Sequence, residues 1–336
     1  MRKLHLSALA VTTVLLISGG LSCHYADVAV ADIAPPGATP FLSVSGPEFD
    51  LEGPAADSRA TATVRKPTAL LDVLPQLDPA EVVTFDNLIK LARARTVSAM
   101  PLDSIIQWVG ERFVGSEYVG GMLDQSASEE LVVSLRKFDC VLFMETVLAL
   151  STGIKQADYS GAGFIRRLRK LRYRQGVMNG YASRLHYFSD WIHDNQSMGF
   201  VRDITPEIGG RPRSKTLNIM SKHRRLYKRL AKNDSLHQRI VEMEERLQNV
   251  PQYYIPHRDI GPALDLIKPG DIVSTATVAR GLDVSHSGFA YRNPDGTIGL
   301  LHASSAVGEV TITRSLRDYV ASNRFVEGIV VARATY

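Results

Sequence analysis

The stretch Val284-Ser285-His286-Ser287-Gly288-Phe289-Ala290-Tyr291-Arg292-Asn293-Pro294-Asp295-Gly296-Thr297-Ile298-Gly299-Leu300-Leu301-His302-Ala303 holds two strand-like runs on either side of a turn. Asn293-Pro294-Asp295-Gly296 suits a type I turn with Pro at its second position and Gly296 in the left-handed region. The result is a three-residue hairpin loop with a bulge. In that register Asn293 faces Thr297, His286 faces Ser304 and His302 faces Gly288. Both histidines then project from one face of the hairpin as diagonal neighbours, roughly 7–8 Å apart at the backbone and within imidazole reach. A one-residue slip would put them on opposite faces.

Around the hairpin the pattern stays β. IVSTATV (272–278) and EGIVVAR (327–333) read as further short strands. Upstream it is helical. Phe85, Leu88, Ile89, Leu91 and Ala92 recur at helical spacing, and a second helix is expected over Leu102–Phe113. Residues 139–150 (DCVLFMETVLAL) form a strongly apolar third helix with Asp139 as its N-cap. Two basic helical stretches follow, Phe164–Arg174 and Ser221–Val250. Helices first and strands afterwards predict an α+β fold, a helical N-terminal half packed on an antiparallel sheet. The charges Arg166, Arg167, Arg169, Lys170, Arg172 and Arg174 read as a solvated helix face, the alternative being contact with an anionic envelope polymer.

The 336-residue chain is 45% hydrophobic and 22% charged, an ordinary globular composition. Residues 1–22 read as an export signal: Arg2 and Lys3, an uncharged run from Leu6 to Ser18, then Gly20-Leu21-Ser22 before the cut. That run is too short to span a bilayer. Cys23 follows the cut, so the chain is expected to be exported, periplasmic or in the envelope, and on a membrane only if Cys23 is lipidated. Residues 23–80, rich in Ala, Pro, Asp and Ser, read as a linker or N-terminal extension, and 81–336 as the folded domain. Of 39 Lys and Arg, two sit in the leader, leaving 37 against 35 acids, which gives no argument for a nucleic-acid partner.

Two cysteines exclude a disulfide-rich scaffold and a four-thiolate metal site. Within the mature chain Cys140 is the only internal cysteine, and its one intramolecular partner would be Cys23 on a long tether. It falls in the first turn of the 139–150 helix, where the dipole and N–H groups favour a thiolate. A thiolate nucleophile needs a base, and histidine titrates near neutrality. Cys140 as nucleophile, His286 as base and His302 orienting the imidazole make a Cys-His-His triad. Gly288, opposite His302, leaves room for the rings. A buried core cysteine and a satisfied strand histidine are the alternatives. His193, His223, His237 and His257 read as surface residues.

These residues resemble a known family. Phe138-Asp139-Cys140-Val141 with Glu145-Thr146-Val147-Leu148-Ala149-Leu150, Arg184-Leu185-His186-Tyr187 with Asp190-Trp191, Pro269-Gly270-Asp271, Gly281-Leu282-Asp283-Val284-Ser285-His286 and His302-Ala303-Ser304-Ser305 are similar to the N-acetylmuramoyl-L-alanine amidase-like family. That family is a branch of the NlpC-type, papain-like cell-wall hydrolases. The resemblance spans about 83–333 and implies the papain-like NlpC-type fold. It further implies hydrolysis of the amide joining N-acetylmuramic acid to L-alanine in peptidoglycan or (anhydro-)muropeptides. No cofactor is implied. Tyr118 and Asp139 resemble groups that contact substrate, with a helix cap as the other reading of Asp139. Arg184, His186 and Asp190 are candidates for glycan or peptide contacts or for a structural polar cluster beside Trp191. Ser285 is a candidate for positioning substrate. The chain departs from relatives at Gly115-Ser116-Glu117-Tyr118, where Gly-Thr-Pro-Tyr is common, and at Leu142, where a small polar residue is usual.

Three other readings compete. A zinc amidase needs three ligands at metal spacing, and the sequence has no His-Glu-x-x-His pattern. A γ-D-glutamyl–diamino acid endopeptidase would use the same triad. A non-catalytic envelope-binding lipoprotein would have no need of all three residues.

Overall fold

Period-two alternation in strands buried on both faces sets the architecture. The computed structural model describes residues 77–335. The expected leader, Cys23 and most of the linker lie outside the described residues. The strands are β1 (Glu117–Tyr118), β2 (Lys137–Phe138), β3 (Val201–Asp203), β4 (Arg211–Pro212), β5 (Tyr253–Pro256), β6 (Ile272–Thr277), β7 (Val284–Arg292), β8 (Ile298–Ser304), β9 (Glu309–Ile312) and β10 (Val326–Ala334). They join in one sheet of order β2-β1-β9-β8-β7-β6-β10-β5-β4, with β3 also on β10. Every pairing is antiparallel except β1 with β2.

The helices are α1 (Pro79–Ala94), α2 (Leu102–Glu111), α3 (Cys140–Lys155), α4 (Gly161–Arg172), α5 (Phe188–Ser197), α6 (Ile219–Lys222), α7 (Asp234–Leu247), α8 (Ile260–Ala263) and α9 (Leu316–Ala321). Ile272, Phe289, Leu301 and Ala303 face α1 to α5 in the largest core. Their sequence neighbours Val273, Ala290 and Leu300 face the other way, with Leu316 and Val320 of α9 and Ile260 of α8. A third core, built on Ile240, Met243 and Leu247 of α7, packs on Tyr181, Tyr187 and Leu282. Burying each large apolar side chain of this kind contributes roughly 1.5–3 kcal/mol. α3 is at the centre: from Leu142 to Ile154 every residue is buried.

The hairpin forms in the expected register, with Phe289 opposite Leu301 and Arg292 opposite Ile298. Asn293 N–H donates to Thr297 O at 2.9 Å, and Gly296 takes φ 86°. Two expectations need correction. Ser221–Val250 is not one helix. The chain leaves α6 at Lys222 and restarts at Asn233, whose side chain accepts from Leu236 N–H at 2.9 Å as the cap of α7. Nor is the basic stretch on α4 a solvated face. Arg166, Arg169 and Lys170 are exposed, but Arg167 and Arg172 are buried, held by Asp158 at 2.7 Å and Glu145 at 2.6 Å. Charges at the interior of a fold require such partners.

Candidate active site

β2 ends at Phe138, whose ring meets Phe113 and Phe143 edge-to-face at 5.1 and 5.7 Å. This aromatic stack fixes the point at which α3 starts. Asp139 caps the helix by accepting from Leu142 N–H at 2.8 Å. Burial pushes its carboxyl up to about 6, against the lowering effect of that hydrogen bond. Cys140 is the next residue, only 1% exposed. In this structure the Cys140 sulfur is disulfide-bonded and its partner lies outside the described residues. A nucleophilic role therefore requires the reduced form.

His286 on β7 and His302 on β8 share one face, and Nε2 of the first lies 2.6 Å from Nδ1 of the second. The rings are nearly perpendicular, 4.8 Å between centroids. Gly288 makes this possible, since a Cβ there would sit 2.8 Å from His302 Cβ. Burial, then the neighbouring His286, holds His302 well below the ordinary imidazole value, so it stays neutral. The rings lie on the α9 side of the sheet, beside Tyr319, whereas α3 packs against the other side. At the start of β7 a bulge breaks the pleat. Thr275 pairs with His286 and Ala276 with Val284, leaving Ser285 as the extra residue. Such bulges re-aim side chains. There Cys140 and His286 line one cavity of about 40 Å³, together with Met144, His186, Trp191 and Ser285. His302 is not in its wall.

The remaining expected residues divide. Tyr118 pairs with Phe138, two residues before Cys140. Ser285 lines the cavity, its Oγ 3.0 Å from Thr275 Oγ1. His186 also lines it; its Nε2 lies 2.8 Å from Tyr181 O, and burial followed by the Arg184 charge lowers it to about 3. Arg184 and Asp190 stand outside the wall. Arg184 donates to Leu123 O at 2.9 Å and Asp124 Oδ1 at 2.5 Å. Asp190 takes a fork from Arg174 at 2.8 and 2.5 Å. Both are structural ion pairs, as is the Glu145–Arg172 pair beside Trp191, whose Nε1 reaches Glu145 at 3.3 Å. His193, His223 and His257 are exposed and His237 is partly buried.

Three features lie outside the expected site residues. Asp283, in the cavity wall, accepts from Ser189 N–H and Oγ–H at 2.6 and 2.8 Å and so ties α5 to the start of β7. Tyr319 of α9 faces both histidine rings. A larger cavity of about 230 Å³ shares the wall formed by Phe188 and Val284, and Gln196, Arg213 and Tyr253 line its far side. Among the described residues, no three His, Cys, Asp or Glu side chains gather to hold a metal ion, and no helix is long and apolar enough to cross a membrane.

A family model described as AmiA-like, N-acetylmuramoyl-L-alanine amidase-like, matches residues 108–329. Two crystal structures of an N-acetylmuramoyl-L-alanine amidase from Bacteroides uniformis superpose with TM-scores of 0.66 and 0.67; each is 32% identical, over 70% of this chain and 99% of that one. A Bacteroides fragilis structure provisionally named a xylanase is 34% identical, with a TM-score of 0.64 over 67% of this chain and 99% of its own. No curated protein matches in sequence. The mixed fold, with its large and mostly antiparallel sheet, is that of these amidase structures, and the chain belongs to the N-acetylmuramoyl-L-alanine amidase-like family.

Proposed function

We propose that this protein is a cell-wall hydrolase of the NlpC-type, papain-like kind, cleaving the amide between N-acetylmuramic acid and L-alanine in peptidoglycan or muropeptides with a thiol nucleophile. The observation that carries the reading is that Cys140, at the start of a helix, and His286, hydrogen-bonded to His302, line one cavity in a chain of this family.

In the mechanism, the reduced Cys140 gives its proton to His286, and the thiolate is favoured by the positive end of α3. Sulfur attacks the lactyl carbonyl. The developing oxyanion is met by the Cys140 backbone N–H at the first position of the helix. His286 then protonates the departing L-alanine nitrogen, leaving a muramoyl thioester. Water activated by the same imidazole hydrolyses it and frees the thiol. His302, buried and neutral, holds the His286 ring through the 2.6 Å contact. Ser285, His186 and Tyr118 are proposed as substrate neighbours. Asp139 supports the nucleophile as its helix cap, and Arg184 and Asp190 hold the surrounding frame. The proposed site of action is the cell envelope, reached through the leader.

The xylanase name of the B. fragilis relative has no counterpart in the cavity. A glycosidase sets two carboxyl groups roughly 5–9 Å apart across the bond. Among the described residues Asp283 is the only carboxylate in this wall, and Ser189 and the Val284 N–H already occupy it. Alkylation separates a thiol from a metal mechanism. Reduced protein treated with iodoacetamide is expected to lose hydrolysis of muropeptides, while chelator leaves it intact. The opposite pattern would refute the thiol mechanism.

A further inference from the structure

At the histidine pair two ring nitrogens share one hydrogen. His302 Nδ1 faces His286 Nε2 at 2.6 Å. The other His302 nitrogen, Nε2, is buried and has no hydrogen-bond partner among the described residues. What lies against this ring from α9 is an aromatic side chain. The Tyr319 ring lies 5.1 Å from His302 with the planes at 64°, and 6.2 Å from His286 at 52°. From β9 the paired residue is Thr311. An aromatic face is the negative part of its quadrupole, so it attracts an N–H and repels a nitrogen lone pair.

We propose that Tyr319 is a positioning residue whose ring face receives the Nε2–H of His302 and so fixes that histidine in its Nε2–H tautomer. The rest follows by elimination along the pair. His302 Nδ1 must accept, His286 Nε2 must donate, and His286 Nδ1 becomes the basic nitrogen. Because His302 is held neutral, only one of its nitrogens carries hydrogen. On the thiol-amidase reading, on which this last step rests, His286 Nδ1 takes the Cys140 proton. The S–H bond breaks, the electron pair stays on sulfur, and the imidazolium keeps its Nε2–H on His302. A ring from a helix after the last catalytic strand would thus decide which nitrogen of a neighbouring strand acts as base.

The test is a long-range proton–nitrogen correlation spectrum of the imidazoles in the ¹⁵N-labelled protein at neutral pH, on wild type, Tyr319→Phe and Tyr319→Leu. The expected result is a protonated Nε2 and an unprotonated Nδ1 at His302 in wild type and Tyr319→Phe, and mixed tautomers in Tyr319→Leu. In muropeptide assays Tyr319→Phe should stay within about twofold of wild type, and Tyr319→Leu should lose about tenfold in kcat with little change in KM. A protonated Nδ1 in wild type overturns the proposal, even if the leucine variant does not fold. So do unchanged His302 shifts in Tyr319→Leu, or equal kcat losses in both variants. The nitrogen shifts are read without turnover, so a protein inactive on muropeptides would refute the amidase reading and leave the tautomer decided.

Discussion

His286 and His302 meet at 2.6 Å only because residue 288, directly across the ladder from His302, has no side chain. An added Cβ would lie 2.8 Å from both His302 Cβ and the Leu301 carbonyl, inside the closest approach of real side chains. Neither can yield cheaply, since one belongs to the buried histidine and the other to the β8 backbone.

Gly288→Ala is therefore expected to fold with a loss of about 1–3 kcal/mol, the usual result of overpacking. Activity on muropeptides should fall further than stability alone explains, because displacing His302 unfixes the His286 ring. Kinetics at a temperature where the variant is fully folded separates the two effects. Unchanged kcat would mean that the His286–His302 contact is not needed.

His186 gives a pH prediction. Its folded value is lowered to about 3 by burial and by Arg184, against an unfolded value near 6.5. The unfolded chain takes up a proton that the folded one refuses, so this group's contribution is complete above about 6.5 and is lost as pH falls toward 3. Replacing it by Gln removes that loss. The wild type should lose stability relative to His186→Gln by about 1.4 kcal/mol per pH unit below 6.5, or about 2 kcal/mol between pH 7 and 5. Urea unfolding of both proteins at the two pH values measures this directly; parallel changes would place His186 in a solvated setting.

Arg172 at the end of α4 and Glu145 of α3 form a buried ion pair at 2.6 Å, with Val132 O and Trp191 Nε1 completing the cluster. Arg172→Met leaves the glutamate buried and unpaired, at a cost of about 3–5 kcal/mol. The double variant Arg172→Met, Glu145→Leu should recover most of it. Denaturant midpoints of the three proteins decide. A double variant as unstable as the single would mean that the hydrogen bonds to Val132 and Trp191, and not the unpaired charge, set the cost.

The parts of this fold that local sequence determines were readable from it. The Asn293-Pro294-Asp295-Gly296 turn set the hairpin register, because only one loop geometry suits Pro at the second position and Gly in the left-handed region. Asp139 before a long apolar run marked the start of α3 for the same local reason. What depends on distant residues was not readable. Whether Arg167 and Arg172 are solvated is decided by Asp158 and Glu145, and the roles of Arg184 and Asp190 are decided by Asp124 and Arg174. The bulge at Ser285 exists only against β6. The break between α6 and α7 did leave a local sign, Asn233 followed by Asp234 and Ser235, which is a helix-start pattern inside an otherwise helical run. Tyr319 had no such sign, since its place beside the histidines comes from α9 packing on the sheet.

On the proposed mechanism, Cys140 opens the bond between the muramoyl group and L-alanine. The most direct measurement is mass analysis of defined muropeptides after incubation with reduced wild type and with Cys140→Ser. The wild type is expected to release free peptide with an N-terminal L-alanine, and the variant to leave the muropeptide intact. Cleavage within the peptide stem, equal release by both proteins, or no release by either would contradict that mechanism.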